Sequence, residues 1–434
     1  MQVLTYSIYI VPTLLVLSLY LRNKHINDRR QRARIKKVVN SGMTEPPSLH
    51  PIIDNGICVG SGGCARACPE TALGIVKGKA VLVDPSKCIG HGACAAACPV
   101  DAISLVFGTE KRGMDIPEVK PNFETNVPGV YIAGELGGMG LIRKAVSQGQ
   151  QAIDSIAENK SENDDLDVLI VGAGSAGIAA SLAAKEKKLR FVTIEQEDGL
   201  GGAVYHYPRN KIAMTAPMHL PLVGIIKAFE ISKEELLGLW NRIMNQTSLE
   251  VNFNERLEKM TAKENGFVIT TSKNNTYHAK NVLLAIGRRG TPRKLGVPGE
   301  EQSKVVYRLI DAEQYRNQHV LVVGGGDSAL EAALAIADEP NTTVTLSYRS
   351  EAFSRVKEKN KLKIDEAIQN NKISVLMKSV VKNINEKTVE IDLDGTLKEI
   401  DNDAVIVCAG GMLPTPFLKE IGVMVKTHHG TKVA

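Results

Sequence analysis

Outside residues 58–98 the 434-residue chain has a single cysteine, Cys408. No C-x-x-C follows Gly326, and no cysteine stands in the glycine-rich loop at Ser175-Ala176. Neither place offers a dithiol for disulfide exchange, which argues against a disulfide reductase. Cys408 itself lies in the apolar run 404–409 and is expected to be a packing residue. The other six cysteines show repeat spacing and flanking prolines. That pattern argues for metal and a reducing compartment rather than a secreted disulfide framework. Net charge is small, +5, and as a total says little about partners. Nothing points to nucleic acid. With 43% hydrophobic and 23% charged residues the chain can bury sizeable cores, and its length suits two or three domains.

Residues 4–21 lack any charge and are mostly apolar. As a helix they would span about 27 Å, near the hydrocarbon thickness of a bilayer. Pro12 would kink such a helix, which membranes tolerate, and Tyr6, Tyr9 and Tyr20 suit the interfaces. Arg22, Lys24, Arg29, Arg30, Arg32, Arg34, Lys36 and Lys37 follow at once. Under the positive-inside rule they hold the rest of the chain in the cytoplasm. No positive side chain precedes the run and no A-x-A site follows it, which argues against a cleaved signal peptide. A buried core helix fits less well at a terminus. The expectation is a single-pass anchor in the cell membrane over residues 1–22 and a basic linker over 23–51.

Residues 58–69 read Cys-Val-Gly-Ser-Gly-Gly-Cys-Ala-Arg-Ala-Cys-Pro, and residues 88–99 read Cys-Ile-Gly-His-Gly-Ala-Cys-Ala-Ala-Ala-Cys-Pro. The copies lie thirty residues apart with the same spacing. Thiolates are soft ligands suited to iron, and small residues between them let the backbone wrap a cluster. The repeat resembles the bacterial two-cluster ferredoxin module, C-x2-C-x2-C-x3-C-P, over about residues 52–107, in a ferredoxin-like domain expected over 52–112. That resemblance implies that Cys58, Cys64 and Cys98 hold one cluster, and Cys88, Cys94 and Cys68 the other. The second cysteine of each run is replaced, by Ser61 and by His91. Either these residues complete four-iron clusters or one or both sites hold three-iron clusters. His91 is a reasonable iron ligand or else a surface histidine beside an open position, whereas Ser61 is a poor ligand. Zinc is the weaker alternative, because both copies end in Cys-Pro.

Residues 167–177 run from an apolar strand into G-x-G-x-x-G at Gly172, Gly174 and Gly177, around Ser175 and Ala176. An alanine-rich helix and a second strand, 191–194, follow, and that strand ends in Glu195, placed to meet a ribose hydroxyl. The glycines let a pyrophosphate approach a helix N-terminus. Residues 319–329 repeat the design as strand, G-x-G-x-x-A at Gly324 and Gly326, then Asp327 and Ser328. The following strand ends in Ser347-Tyr348-Arg349-Ser350, with no acid to repel a 2′-phosphate. Arg349 and Arg355 could pair with that phosphate, so NADPH is expected over NADH.

From about residue 113 onward these motifs resemble the thioredoxin-reductase-like class of FAD/NAD(P) oxidoreductases. Gly201-Gly202 and residues 205–221 are similar to its flavin-flanking loops. Residues 125–135, Thr-Asn-Val-Pro-Gly-Val-Tyr-Ile-Ala-Gly-Glu, resemble the segment that closes its FAD domain at the carboxyl end. Here that segment precedes the first G-x-G-x-x-G, so the resemblance is to a circularly permuted flavoprotein. Gly134 and Glu135 would then lie by the flavin, with Glu135 reaching the ribityl chain. The short polar stretch 157–166 would bridge the old ends.

The expected fold is α/β. Two Rossmann-like domains, FAD-binding over 113–295 with 404–434 and NAD(P)-binding over 296–403, follow an α+β ferredoxin-like domain and one transmembrane helix. The resemblance implies an enzyme in which NADPH (or NADH), FAD and two clusters, 4Fe-4S or 3Fe-4S, exchange electrons with a one-electron carrier protein or a membrane redox partner. It also allows a homodimer. A slowly turning redox sensor or assembly factor is the other reading.

Overall fold

The computed structural model describes residues 2–40, 44–46, 49–88, 90, 92–110, 113–138, 140–207, 209, 211–288, 290–353 and 356–430, without the side chains of residues 2–10, 214 and 291. Contacts divide the chain into two units. One comprises Met1–Thr109, Ala352–Lys361 and Gly430–Ala434, the other Glu110–Glu351 and Leu362–His429.

The first unit opens with one helix, Gln2–Asn40. Its first half exposes Val11, Leu14, Leu15, Val16, Leu17, Leu19, Tyr20 and Leu21. Among the described residues no helix is long and apolar enough to cross a membrane, so the expected transmembrane helix has no support there. Tyr6, Tyr9 and the rest of the apolar run up to residue 10 lie outside the described side chains. The basic stretch up to Asn40, expected to be a linker, continues the helix instead. Its contacts explain why. Arg34 pairs with the buried Asp84 at 3.1 Å, Asp28 accepts from the Lys77 amide at 2.6 Å, and Val38 is buried.

Two small antiparallel sheets complete this unit, His50–Ile53 with Ile103–Val106 and Leu73–Val76 with Lys79–Leu82. Short helices, Gly63–Ala67 and Ala93–Ala96, carry the middle of each cysteine run. Residues Ala352–Lys361 belong here although the second unit flanks them in sequence. Phe353 and Val356 are buried, and Glu358 pairs with Lys37 at 2.7 Å and Lys87 at 2.9 Å. The ammonium groups of Lys37 and then Lys87 hold the Glu358 carboxyl down at about 2.

The second unit contains two parallel-centred sheets. The first runs Leu257–Lys263, Gly266–Thr271, Thr276–Leu284, Leu166–Val171, Phe191–Ile194. Val130–Ile132 pairs in parallel with Thr276–Leu284, so a strand upstream of the first glycine loop enters the sheet beside it. Val168, Leu169, Ile170, Val282 and Leu283 are fully buried, as strands covered on both faces must be. The second sheet runs Val305–Val306, Ala404–Val407, His319–Val323, Thr343–Tyr348, Ile373–Met377, all parallel. The strand Ala404–Val407, assigned from sequence to the first half, thus lies in the second sheet. There Val405 stands in register with Leu321 and Val305. Val425–His428 does return to the first half, pairing with Met114–Pro117.

Candidate cofactor sites

The six clustered cysteines line two cavities. One is bounded by Cys58, Cys64 and Cys98 with Ser61, and the other by Cys68, Cys88 and Cys94. This is the exchange of each run's last cysteine that the repeat implied. The backbone builds the two cavities alike. Gly60 and Gly62 have φ +69° and +73°, Gly90 and Gly92 +77° and +74°, left-handed turns that a side chain would strain. Amides point at the sulfurs: Ala102 to Cys98 Sγ and Ala72 to Cys68 Sγ, both at 3.3 Å, and Ala80 to Cys58 Sγ at 3.4 Å.

Burial raises the thiols of Cys64 and Cys94, and neighbouring cysteines add to it. Cys88 is pushed up to about 11, first by burial and then by Cys94, Cys68 and Glu70. Such trios repel one another as bare thiolates, and metal cations reverse that balance. Among the described residues no three ligands converge on a single-ion site, so the zinc alternative finds no ligand set there. Donors spread around a cavity, with amides aimed at their sulfurs, fit a polynuclear cluster. Ser61 is exposed, its hydroxyl 3.4 Å from the Gly63 amide. His91 lies outside the described residues.

In the first dinucleotide motif the helix Ser175–Glu186 starts at Gly174. A Cβ on Gly172 would lie 2.7 Å from the Ala285 carbonyl oxygen, and one on Gly177 1.7 Å from that of Gly172. Only glycine lets the loop lie this close to the neighbouring strand and to its own helix. Gly202 faces Gly174 across the loop, and Gly201 is buried beside them with φ +117°. Glu195, also buried, accepts from the Ala173 amide at 2.6 Å and the Glu197 amide at 3.0 Å. Burial raises its carboxyl against the pull of those amides. A carboxylate has acceptor capacity beyond two such bonds, which fits a ribose hydroxyl.

The upstream segment reaches the same loop. The helix Ile142–Ala157 crosses the loop's helix so closely that a Cβ on Gly149 would lie 2.1 Å from the Ala176 carbonyl oxygen. The Gly134 amide donates to Gln148 Oε1 at 2.8 Å, and Glu135 is exposed at the turn that follows.

The second motif repeats the geometry. The helix Asp327–Ala337 starts at Gly326, with Ser328 exposed in its first turn. A Cβ on Gly324 would lie 2.4 Å from the Cys408 carbonyl oxygen. Cys408 is half-buried at the end of its strand, with its sulfur 3.9 Å from the Ser328 carbonyl oxygen, so it is not the core residue expected from sequence. The sequence hides this, because the apolar run 404–409 continues past the strand's end at Val407. The carbonyls of Ala285 and Cys408, which back the two glycine loops, were likewise not singled out from sequence. Arg349 is exposed directly after the strand Thr343–Tyr348, and Arg355 lies outside the described residues. Lys211, in the first half, pairs with Glu331 on the second-motif helix at 3.0 Å.

Comparison with known proteins agrees with this geometry. Residues 169–433 match the family described as pyridine nucleotide-disulphide oxidoreductase, and residues 50–99 match the 4Fe-4S dicluster domain. A ferredoxin–NADP reductase of Picrophilus torridus is 30% identical over 258 residues, 57% of this chain and 73% of its own. A bacilliredoxin reductase of Bacillus subtilis is 27% identical over 268 residues, 60% of this chain and 82% of its own. Among solved structures, the bacillithiol disulfide reductase of Staphylococcus aureus is similar with TM-score 0.54 and 26% identity, over 60% of this chain and 81% of that one.

Proposed function

The chain belongs to the pyridine nucleotide-disulphide oxidoreductase family, and from that premise we propose that it moves electrons between NADPH, a bound FAD and two iron–sulfur clusters, and on to a ferredoxin-type one-electron carrier. A flavin takes two electrons as a hydride and can release them singly, while each cluster carries one. The observation that carries the reading is the pair of three-cysteine cavities in the same chain as two glycine loops.

Gly172, Gly174 and Gly177 admit the FAD pyrophosphate to the amides that open the helix at Ser175, and Glu195 holds the ribose. Gly324, Gly326 and the helix start at Asp327 do the same for NADPH. Arg349 pairs with the 2′-phosphate. The FAD half is circularly permuted: the parallel pairing of Val130–Ile132 with Thr276–Leu284 supports this, as does the close crossing at Gly149. The helix Gln2–Asn40 binds a membrane through its exposed apolar first half, with the basic residues after it on the cytoplasmic side.

The test uses Cys64→Ala. NADPH should still reduce the flavin in this variant, while transfer to a one-electron acceptor is lost. Loss of both would show that electrons do not pass in this order. A purified chain holding neither flavin nor iron would end the reading. Reduction by NADPH without turnover would instead favour the redox sensor.

A second reading, disulfide reduction, draws on the named reductases of Bacillus subtilis and Staphylococcus aureus and on the half-buried Cys408. The variant Cys408→Ser separates the two, since it should leave one-electron transfer intact.

A further inference from the structure

The two cluster sites are copies offset by thirty residues, and their cavities can be compared position by position. Cys58 answers to Cys88, Cys64 to Cys94 and Cys98 to Cys68. The amides of Ala102 and Ala72 donate to Cys98 and Cys68 at the same 3.3 Å. Beyond the difference between Ser61 and His91, the likeness breaks at the residue two after Cys98 and Cys68. Val100 lines the first cavity and Glu70 the second. Among the described residues lining the first cavity, only the cysteines are ionisable. Asp101, next to Val100, is exposed and does not line it. The half-buried Glu70, by contrast, lines the second cavity together with Cys68, Cys88 and Cys94.

Resting on the reading that both cavities hold iron–sulfur clusters, we propose that Glu70 sets the two sites apart in reduction potential. Its negative charge opposes an added electron at the second site, held by Cys68, Cys88 and Cys94. An electron delivered to the pair therefore rests at the first, held by Cys58, Cys64 and Cys98. The physical ground is Coulomb repulsion in a partly buried cavity, and net local charge is one of the levers that set cluster potentials. Val100 leaves the first site without that penalty. Among the described residues lining the second cavity, the other ionisable group besides the cysteines is His50, whose cationic form would act in the opposite sense. His50 is the same in the wild type and in both variants, so it does not account for a difference between them.

The test is a mediated redox titration of the anaerobically purified full chain, followed by EPR. Two midpoint potentials are expected in the wild type. Glu70→Gln should raise the lower one by about tenfold in the reduction equilibrium, ~59 mV for one electron, and leave the upper one in place. Val100→Glu should lower the upper one and leave the other. If neither substitution moves a potential, or each moves both equally, the proposal is overturned while the cluster reading stands. A chain without iron overturns both. Should Glu70→Gln lose its iron, the Val100→Glu titration decides alone.

Discussion

The carbonyl oxygen of Cys408 lies where a β-carbon on Gly324 would come within 2.4 Å of it, so the second glycine loop is pressed against the end of the neighbouring strand. The first loop stands in the same relation to its own sheet, since a β-carbon on Gly172 would come within 2.7 Å of the Ala285 carbonyl oxygen. In each half a parallel strand ends under the turn that is proposed to receive a pyrophosphate. The turn has no room to retreat.

Gly324→Ala should therefore push the loop out toward the nucleotide. A displacement of about 1 Å at a binding loop can cost on the order of a hundredfold in rate. We expect kcat/KM for NADPH to fall by roughly that factor, with FAD content and iron content unchanged. Stopped-flow reduction of the flavin by NADPH measures it. A variant that reduces at the wild-type rate would show that this loop is not where the nucleotide binds.

The same contact makes Cys408 a reporter. Its sulfur sits by the first turn of the helix that the nucleotide is proposed to cap, half-open to solvent. On the proposed reading the six other cysteines hold iron, which leaves Cys408 to react with iodoacetamide. NADPH should slow that reaction several-fold and NADH less so, as mass spectrometry of the labelled peptide would read. Labelling at an unchanged rate under saturating NADPH would place the nucleotide elsewhere.

The cysteine repeat was legible in the sequence because ligand chemistry fixes both residue type and spacing, and the lining of the two cavities follows the same thirty-residue offset. The two glycine loops were legible for a similar reason: Gly172 and Gly324 are demanded by a backbone that approaches within van der Waals distance. What sequence missed is tertiary. Arg34 and Asp28 read as part of a solvated basic linker, because their partners, Asp84 and the Lys77 amide, are about fifty residues away. Residues Ala352–Lys361 read as a continuous part of the NAD(P)-binding region. Nothing local says that Phe353 is buried in the cluster-bearing unit or that Glu358 meets Lys37. Cys408 read as core because its neighbours are apolar, although the strand ends at Val407 and Cys408 already belongs to the loop beyond it.

Arg349 tests the choice of nicotinamide cofactor. It is exposed directly after the strand Thr343–Tyr348, where an acid would have repelled a 2′-phosphate. A charge-assisted hydrogen bond contributes about 1.5–3 kcal/mol, so Arg349→Ala should raise the KM for NADPH roughly tenfold or more. The KM for NADH should barely change. Equal effects on both would remove the argument for the 2′-phosphate.

Gly149 offers the sharpest test of the permuted arrangement, because it lies upstream of the family match at 169–433 and yet touches the first glycine loop's helix. In an ordinary exposed helix, replacing glycine by alanine stabilises by about 1 kcal/mol. Here the new methyl would fall 2.1 Å from the Ala176 carbonyl oxygen, forcing the helices Ile142–Ala157 and Ser175–Glu186 apart. Overpacking of this kind costs about 1–3 kcal/mol, enough to reverse the sign. Gly149→Ala should thus release FAD at a lower temperature than the wild type, read by the rise in flavin fluorescence on heating, while the iron content stays the same. A variant that holds FAD as well as the wild type or better would mean that residues 142–157 do not brace the flavin loop, and the permuted reading would rest on the pairing of Val130–Ile132 with Thr276–Leu284 alone.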